Sequence, residues 1–301
     1  MRIADWVGRA RAYRRLRRKY STPQSSIASK ILYKMAWDRN PQLTVFADKV
    51  AVRNYIAGRV GDSYIVPVIC VAEAGEAIDF ETLPCEYVVK VSHGSGGVIV
   101  VTERADLGAT LPEDPRVGWV RFEIHPDQLS PGRMSALLNH WMGLSYEWWS
   151  GRDPEWAYRV VVPRVVVEPL ITSPDGGPPR EYKVFCFNGH AQVIRVDHGS
   201  VSGGKDFTHY DREWNHLDVD FIESGHLRSQ GVREEQPAFL SELIRVSELL
   251  TDDVDFARVD LIDDNGSLRV GEITNYPTAG SFAFSPADFG DWFGKDWRPH
   301  Y

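Results

Sequence analysis

The residues with the most chemical content lie in the stretch FARVDLIDDNGSLRVGEITNYP, positions 256–277. Charged and β-branched residues alternate on either side of Asp264-Asn265-Gly266, a pattern that predicts a hairpin. With the loop centred on Gly266, Asp260 lies opposite Glu272, while Val259 and Leu261 meet Ile273 on the other face and are free to enter the core. Directly opposed like charges weaken a strand pair, and burial makes the conflict worse. Two arrangements remove it. Either both acids splay into solvent, or a divalent cation sits between them, and magnesium suits two carboxylates completed by phosphate oxygens and water. Arg258, one strand repeat from Asp260 on the same face, adds the cation that a bound phosphate needs.

A second candidate is VVKVSHGSGGVIVV, positions 88–101, where Lys90 and Gly94, Gly96 and Gly97 stand between two β-branched runs. The runs read as strands and the glycines as their connection. Glycine serves a tight turn, and it also lets successive backbone N–H groups converge on an anion. The stretch fits neither the dinucleotide fingerprint, since a strand follows where a helix should begin, nor the Walker pattern. By itself it reads as a plain hairpin or as a phosphate cradle.

Composition narrows the class. The 301 residues are 43% hydrophobic and 25% charged, as in a soluble globular protein, and no apolar run approaches the ~20 residues of a membrane span. The first twenty residues lack the apolar stretch of a secretory signal, so a cytoplasmic location is expected. Cys70, Cys85 and Cys186 are widely spaced in apolar contexts and are expected to be buried thiols, without a disulfide framework. The nine histidines show no zinc spacing. Net charge is −8, unevenly spread: residues 1–20 hold eight cations against Asp5, leaving 26 cations (34 less 8) against 41 acids (42 less 1) elsewhere. The basic helix GRARAYRRLRRKY either meets an anionic surface or docks on the acidic body of its own chain.

These residues need elements to hold them. STPQSSIASKILYKMAWDRNP predicts a capped amphipathic helix ended at Pro41, and FADKVAVRNYIAGRV a third helix closed by Gly58 and Gly61. SYIVPVICV reads as a strand or its entry, GRMSALLNHWMGLSYEWWSG as a helix, and WAYRVVVPRVVVEPLI as a long buried strand broken at Pro163. REYKVFCFNGHAQVIRVD turns at Asn188-Gly189 into another hairpin. HGSVSGGKDFTHYDREW reads as a polar glycine-bearing loop, and QPAFLSELIRVSELLTDD as an amphipathic helix. Helices and hairpins are mixed rather than alternating, so the expected fold class is α+β with antiparallel sheets.

Taken in order, ADKVAVRNYI, LPCEYVVKVSHGSGG, VVVEPLI, REYKVFCFNG, HYDREW, FARVDLIDDNGSLRVGEITNYPTAG and FSPADFGDWFG resemble the ATP-grasp superfamily, and within it the TupA-like branch. The resemblance covers roughly residues 37–301. It implies two α+β subdomains that clasp ATP, here residues 43–170 with the glycine loop and 171–301 with the metal pair, preceded by a basic helical segment, 1–42. It further implies that Lys49 and Lys90 neutralise the phosphates, that Ser95, Gly96 and Gly97 fold over them, and that Glu168, Pro169, Leu170 and Ile171 form the adenine hinge. Glu181 then meets the ribose and Lys183 a phosphate, Asp260 and Glu272 hold Mg²⁺, and Arg258 lies over the transferred phosphoryl group. Lys205, Tyr276, Thr278 and Gly280 are expected at the acceptor. Where many relatives carry asparagine two residues after the second metal ligand, this chain has Thr274.

The function so implied is an ATP- and Mg²⁺-dependent ligase that joins a small or polymer-linked carboxylate to an amine through an acyl phosphate, with no nucleic acid partner. By family association its product belongs to a cell-envelope polymer or a secondary metabolite. A phosphotransferase of the same fold, and a nucleotide-binding scaffold tethered by the basic helix, are the alternatives.

Overall fold

The computed structural model describes residues 3–148, 154–197, 207–223, 226–228 and 231–301. Helices α1 (Ile3–Lys19) and α2 (Ile27–Trp37) come first. The hydroxyl of Ser26 caps α2 by accepting from the Ser29 N–H at 3.3 Å. The single third helix expected from the sequence is two, α3 (Gln42–Ala47) and α4 (Ala51–Val60). The break has a cause: the Asp48 carboxylate accepts from the Val50 N–H at 2.8 Å and is tied to Arg164 at 2.7 Å. It places Lys49 on a corner, its backbone N–H donating to the Ser92 carbonyl at 3.0 Å.

Strands β1 (Cys70–Ala72), β2 (Tyr87–Val91), β3 (Val98–Val101) and β4 (Arg121–Ile124), helix α5 (Pro131–Gly143) and strand β5 (Val165–Pro169) follow. They make a five-stranded sheet in the order β1-β5-β2-β3-β4, antiparallel except for β3 beside β4. Alternation along β2 sends Tyr87, Val89 and Val91 into the core, where Met134, Leu137, Leu138 and Trp141 of α5 meet them. Val88 and Lys90 are left for the other face. The long strand expected through 156–171 begins only at Val165; Trp156–Tyr158 is a single helical turn, and Pro163, lacking an N–H, cannot join the ladder.

The second sheet has six strands in the order β13-β12-β6-β7-β8-β9: β6 (Glu181–Phe187), β7 (His190–Asp197), β8 (Phe207–Asp211), β9 (His216–Leu217), β12 (Phe256–Asp264) and β13 (Ser267–Thr274). Asn188-Gly189 and Asn265-Gly266 both turn with positive φ at each residue, as the expected hairpins require. Helix α6 (Leu240–Leu249) and the N-terminal helices pack into this sheet's core, which includes Leu16, Ile31, Phe46, Ile56, Leu243, Val259 and Ile273. A small sheet of β10 (Asp220–Glu223), β11 (His226–Arg228) and β14 (Phe282–Ser285) stands at one end, and α7 (Phe289–Gly294) closes the chain.

Helix α1 lies on its own chain: Leu16 is fully buried, and Tyr13 and Arg9 both reach the buried Glu147, at 2.7 and 3.3 Å. Cys186 is buried, but Cys70 is half-buried and Cys85 exposed, so only one of three cysteines is the buried thiol expected. Among the described residues no helix is long and apolar enough to cross a membrane.

Candidate functional site

One face of the six-stranded sheet carries a row of ionisable side chains in register. Glu272 pairs with Asp260, Asp260 with Lys183, Lys183 with Arg195 and Arg195 with His209, one residue from each of five adjacent strands. Period-two alternation keeps Arg258, Thr274, Glu181 and Asp197 on the same face. The expected opposition of Asp260 and Glu272 is therefore present. Leu261 pairs with Val270 instead of standing beside Ile273, because β13 bulges at this point.

The row is densely paired. Arg258 grips both oxygens of Asp260 at 2.6 Å and donates to the Thr274 hydroxyl at 3.1 Å. Lys183 lies 2.5 Å from Glu181 and 3.3 Å from both Asp197 and Asp260, and Arg195 forks onto Asp197 at 2.8 and 3.1 Å. Burial alone would lower the proton affinity of Lys183, but Asp260, Glu181 and Asp197 outweigh it and hold the lysine firmly charged. Burial would likewise raise Asp260, and Arg258 and Lys183 reverse the sign, so that its carboxyl stays ionised. Glu272 is different. Among the described residues its carboxylate accepts one hydrogen bond, from the Thr274 hydroxyl at 3.3 Å, and makes no ion pair.

This face floors a cavity of about 1080 Å³. Ser95 of the glycine loop overhangs it, Tyr146, Glu155 and Tyr158 form one wall, and residues 276–283 form the other. Tyr276, Thr278 and Gly280, expected at the acceptor, all line it, on a loop where Thr278, Ala279 and Gly280 have φ of 47°, 50° and 68°. Left-handed backbone at two non-glycine residues in succession is costly and is found where a site holds it in place.

A second ionic group adjoins the first. Glu168, buried on β5, takes Lys90 at 2.6 Å and also Arg53. Lys49 donates to the Gly94 carbonyl at 2.5 Å. Burial lowers the proton affinity of Lys49, Glu272 opposes this, and Lys90 adds to it, so Lys49 lies within electrostatic reach of both. Pro169 ends β5, and Leu170 and Ile171 continue from it, half-buried.

The glycine loop is shaped by aromatic rings. A Cβ on Gly94 would come within 2.8 Å of Trp119 and Tyr146, and one on Gly97 within 2.7 Å of Trp119. Gly96 has φ of 89°. Two of the three glycines thus answer to close packing and the third to its backbone dihedral.

The sequence profile of the TupA-like ATP-grasp family matches residues 28–298. The chain belongs to the TupA-like ATP-grasp family. No curated protein matches it by sequence. Among solved structures, D-alanine–D-alanine ligase of Bacillus anthracis with ATP is 17% identical, with 86% of this chain and 61% of that one covered and a TM-score of 0.39. L-amino acid ligase of Bacillus licheniformis is 14% identical over 88% and 55%, with a TM-score of 0.44. D-cycloserine synthetase DcsG is 13% identical over 85% and 70%, with a TM-score of 0.44. This chain spans about three-fifths of the length of the first of these.

For this TupA-like ATP-grasp chain, most of the residues expected from the sequence fall into one neighbourhood, while Gly96, Gly97, Pro169, Leu170 and Ile171 do not line the cavity. Ser95, Glu181, Lys183, Arg258, Asp260, Glu272, Tyr276, Thr278 and Gly280 surround the cavity, and Lys49, Lys90 and Glu168 stand beside it. Lys205 lies outside the described residues. Sequence reasoning missed Arg53, Tyr146, Glu155, Tyr158, Arg195 and Asp197. The last two were within reach, since alternation from the Asn188-Gly189 turn puts two charged residues on β7 beside Glu181 and Lys183. A second cavity, about 830 Å³, opens on the opposite face of the sheet near Tyr182 and Asp263, and none of the expected residues lines it.

Proposed function

We propose that the protein is an ATP-dependent ligase that joins a carboxylate to an amine, with Mg²⁺ as its metal. The observation that supports this most is the in-register row Glu272, Asp260, Lys183, Arg195, set in a cavity large enough for reactants in a chain of the ATP-grasp family.

The metal is tested by its donors. Among the described residues no cluster of three or more ligating side chains exists, so protein oxygens alone do not make a cage. Asp260 and Glu272 supply two hard oxygen ligands, and Mg²⁺ takes few protein ligands when phosphate and water complete its shell. Glu272, without a cationic partner, fits that use directly. Asp260 fits by giving up part of the Arg258 fork. When bound, the ion would supply charge neutralisation on the phosphates.

A carboxylate resists attack by an amine until its oxygen becomes a good leaving group, and phosphorylation by ATP does this. That transfer is mainly positioning and charge stabilisation. Lys49, Lys90 and Lys183 are assigned to phosphate oxygens, and Arg258, released from Asp260, to the transferred group. Glu181 and the end of β5 at Pro169, Leu170 and Ile171 are assigned to ribose and adenine. Ser95, Gly96 and Gly97 cover the phosphates, and Tyr276, Thr278 and Gly280 meet the acceptor.

The test is a mass-spectrometric screen of paired acids and amines with ATP and Mg²⁺. A condensed product formed with release of ADP supports the reading. A stable phosphorylated acid or alcohol with no amide in any pairing replaces it with a phosphotransferase.

A further inference from the structure

Among the described residues, every acid on this face of the sheet except Glu272 has its own cation: Glu181 has Lys183, Asp197 has Arg195, Asp260 has Arg258. Glu155, on the wall, has none. Its side chain lines the cavity and the residue is only 6% exposed, yet among the described residues its carboxyl makes no hydrogen bond and no ion pair. Its position is fixed by the backbone, its N–H donating to the Glu147 carbonyl at 2.9 Å and its carbonyl accepting from the Tyr158 N–H at 3.2 Å. A buried acid without a partner is expensive to keep, and cavity-facing acids of this kind are completed by what enters the cavity.

The surroundings select a cation with N–H groups. Tyr146 and Tyr158 flank Glu155 with rings 4.6 Å apart between centroids, and ring faces favour an ammonium over a hydrated metal ion. Glu272 supplies a further negative charge from the floor. One phenol-lined carboxylate is a poor magnesium site, since that ion demands several oxygens in octahedral array. The cavity thus offers Lys183, Arg195 and Arg258 on its floor to the activated acid, and an acidic, aromatic wall at Glu155 to the amine.

We propose that Glu155, with Tyr146 and Tyr158, forms the subsite for the acceptor's ammonium group. The assignment rests on the ligase reading and names the part of the same cavity that takes the amine. It makes the acceptor a primary amine that enters protonated, and it makes Glu155 the residue that distinguishes a free amine from a blocked one.

Isothermal calorimetry on the full chain, without nucleotide, would use the amides of the twenty standard amino acids, ethanolamine, and the N-acetyl form of each. The expected result is that at least one free amine binds, that its N-acetyl form does not, and that Glu155→Gln weakens the amine by about tenfold or more. Glu155→Asp, which keeps the charge, should retain the preference for the free amine and serves if the glutamine variant does not fold. Equal binding of free and acetylated forms, undiminished binding by Glu155→Gln, a preference lost in Glu155→Asp, or no binding by any amine would overturn the proposal. Titration of the same samples with a non-hydrolysable ATP analogue and Mg²⁺ reports separately on the ligase reading: failure there with intact amine discrimination sinks that reading alone.

Discussion

Asp260 and Glu272 face each other because β13 contains one residue more than a regular ladder would allow. The two-residue turn Asn265-Gly266 pairs Asp264 with Ser267, Asp263 with Leu268 and Leu261 with Val270, and the next regular pair would be Asp260 with Gly271. Instead the ladder skips Gly271 and Asp260 meets Glu272. The bulge also reverses the alternation of β13, so that Leu268, Val270 and Ile273 enter the core while Glu272 and Thr274 face the cavity. Deleting Gly271 straightens the ladder and leaves Glu272 opposite Asp260, so ATP turnover should persist within roughly tenfold. Inserting one glycine after Gly271 carries Glu272 past its partner, and turnover should fall by roughly a hundredfold. Rates of ADP release for the two variants compare these outcomes directly, and equal losses in both would contradict the register argument.

The two acids differ in what their removal does to the fold. Asp260 neutralises Arg258 and Lys183, both nearly buried, so Asp260→Asn should cost roughly 3 kcal/mol in denaturant unfolding. Glu272 carries only one long hydrogen bond, and the attraction of Lys49 and Arg258 is offset by the repulsion of Asp260 and Glu155, so Glu272→Gln should leave stability within about 0.5 kcal/mol. Both substitutions should abolish Mg²⁺-dependent ATP turnover. Equal destabilisation by the two would show that Glu272 has a structural partner in solution.

Much of this site was legible because its chemistry sits on hairpins with strong local signals. Asn-Gly turns fix where β6 meets β7 and β12 meets β13, and period-two alternation then places Glu181 with Lys183 and Arg258 with Asp260. The register was less secure. Each of these hairpins bulges, after Phe185 in one and at Gly271 in the other, and only the parity break in LRVGEIT marks the second. Lys49 was legible as a lysine but not as a corner, since the helix break depends on Asp48 reaching Arg164, more than a hundred residues away. Glu155 left no local trace at all. It lies in a stretch without regular periodicity, and its meaning comes from Tyr146, Tyr158 and the distant Glu272 around the same cavity.

The aromatic support of the glycine loop gives a prediction independent of any ligand. A methyl group on Gly97 meets the Trp119 ring at 2.7 Å, and since the backbone fixes a Cβ, the ring or the loop must shift. Gly97→Ala should therefore destabilise the protein by roughly 1–3 kcal/mol. In a Trp119→Leu background, where the ring is gone, the same change should cost less than about 1 kcal/mol. A thermodynamic cycle from urea unfolding of the four proteins measures the coupling, and additive effects would mean that the loop owes its glycines to something other than this contact.

Glu155 also leaves a signature in stability against pH. Burial first, and then the Glu272 charge, push its carboxyl up to about 8 from an ordinary 4.5. Between those values the folded protein holds a proton that the unfolded chain has lost, so this group makes stability fall as pH rises from about 4.5 to 8, with no further change above. At about 1.4 kcal/mol per unit the span is roughly 4–5 kcal/mol, an upper bound because neighbouring Tyr146, Tyr158 and Glu272 can relax. Glu155→Gln removes the titrating group and keeps the shape. The variant should match the wild type near pH 4.5 and become progressively more stable than it towards pH 8. Urea midpoints across that range measure the difference, and parallel curves for the two proteins would mean that Glu155 is ionised in the folded state throughout.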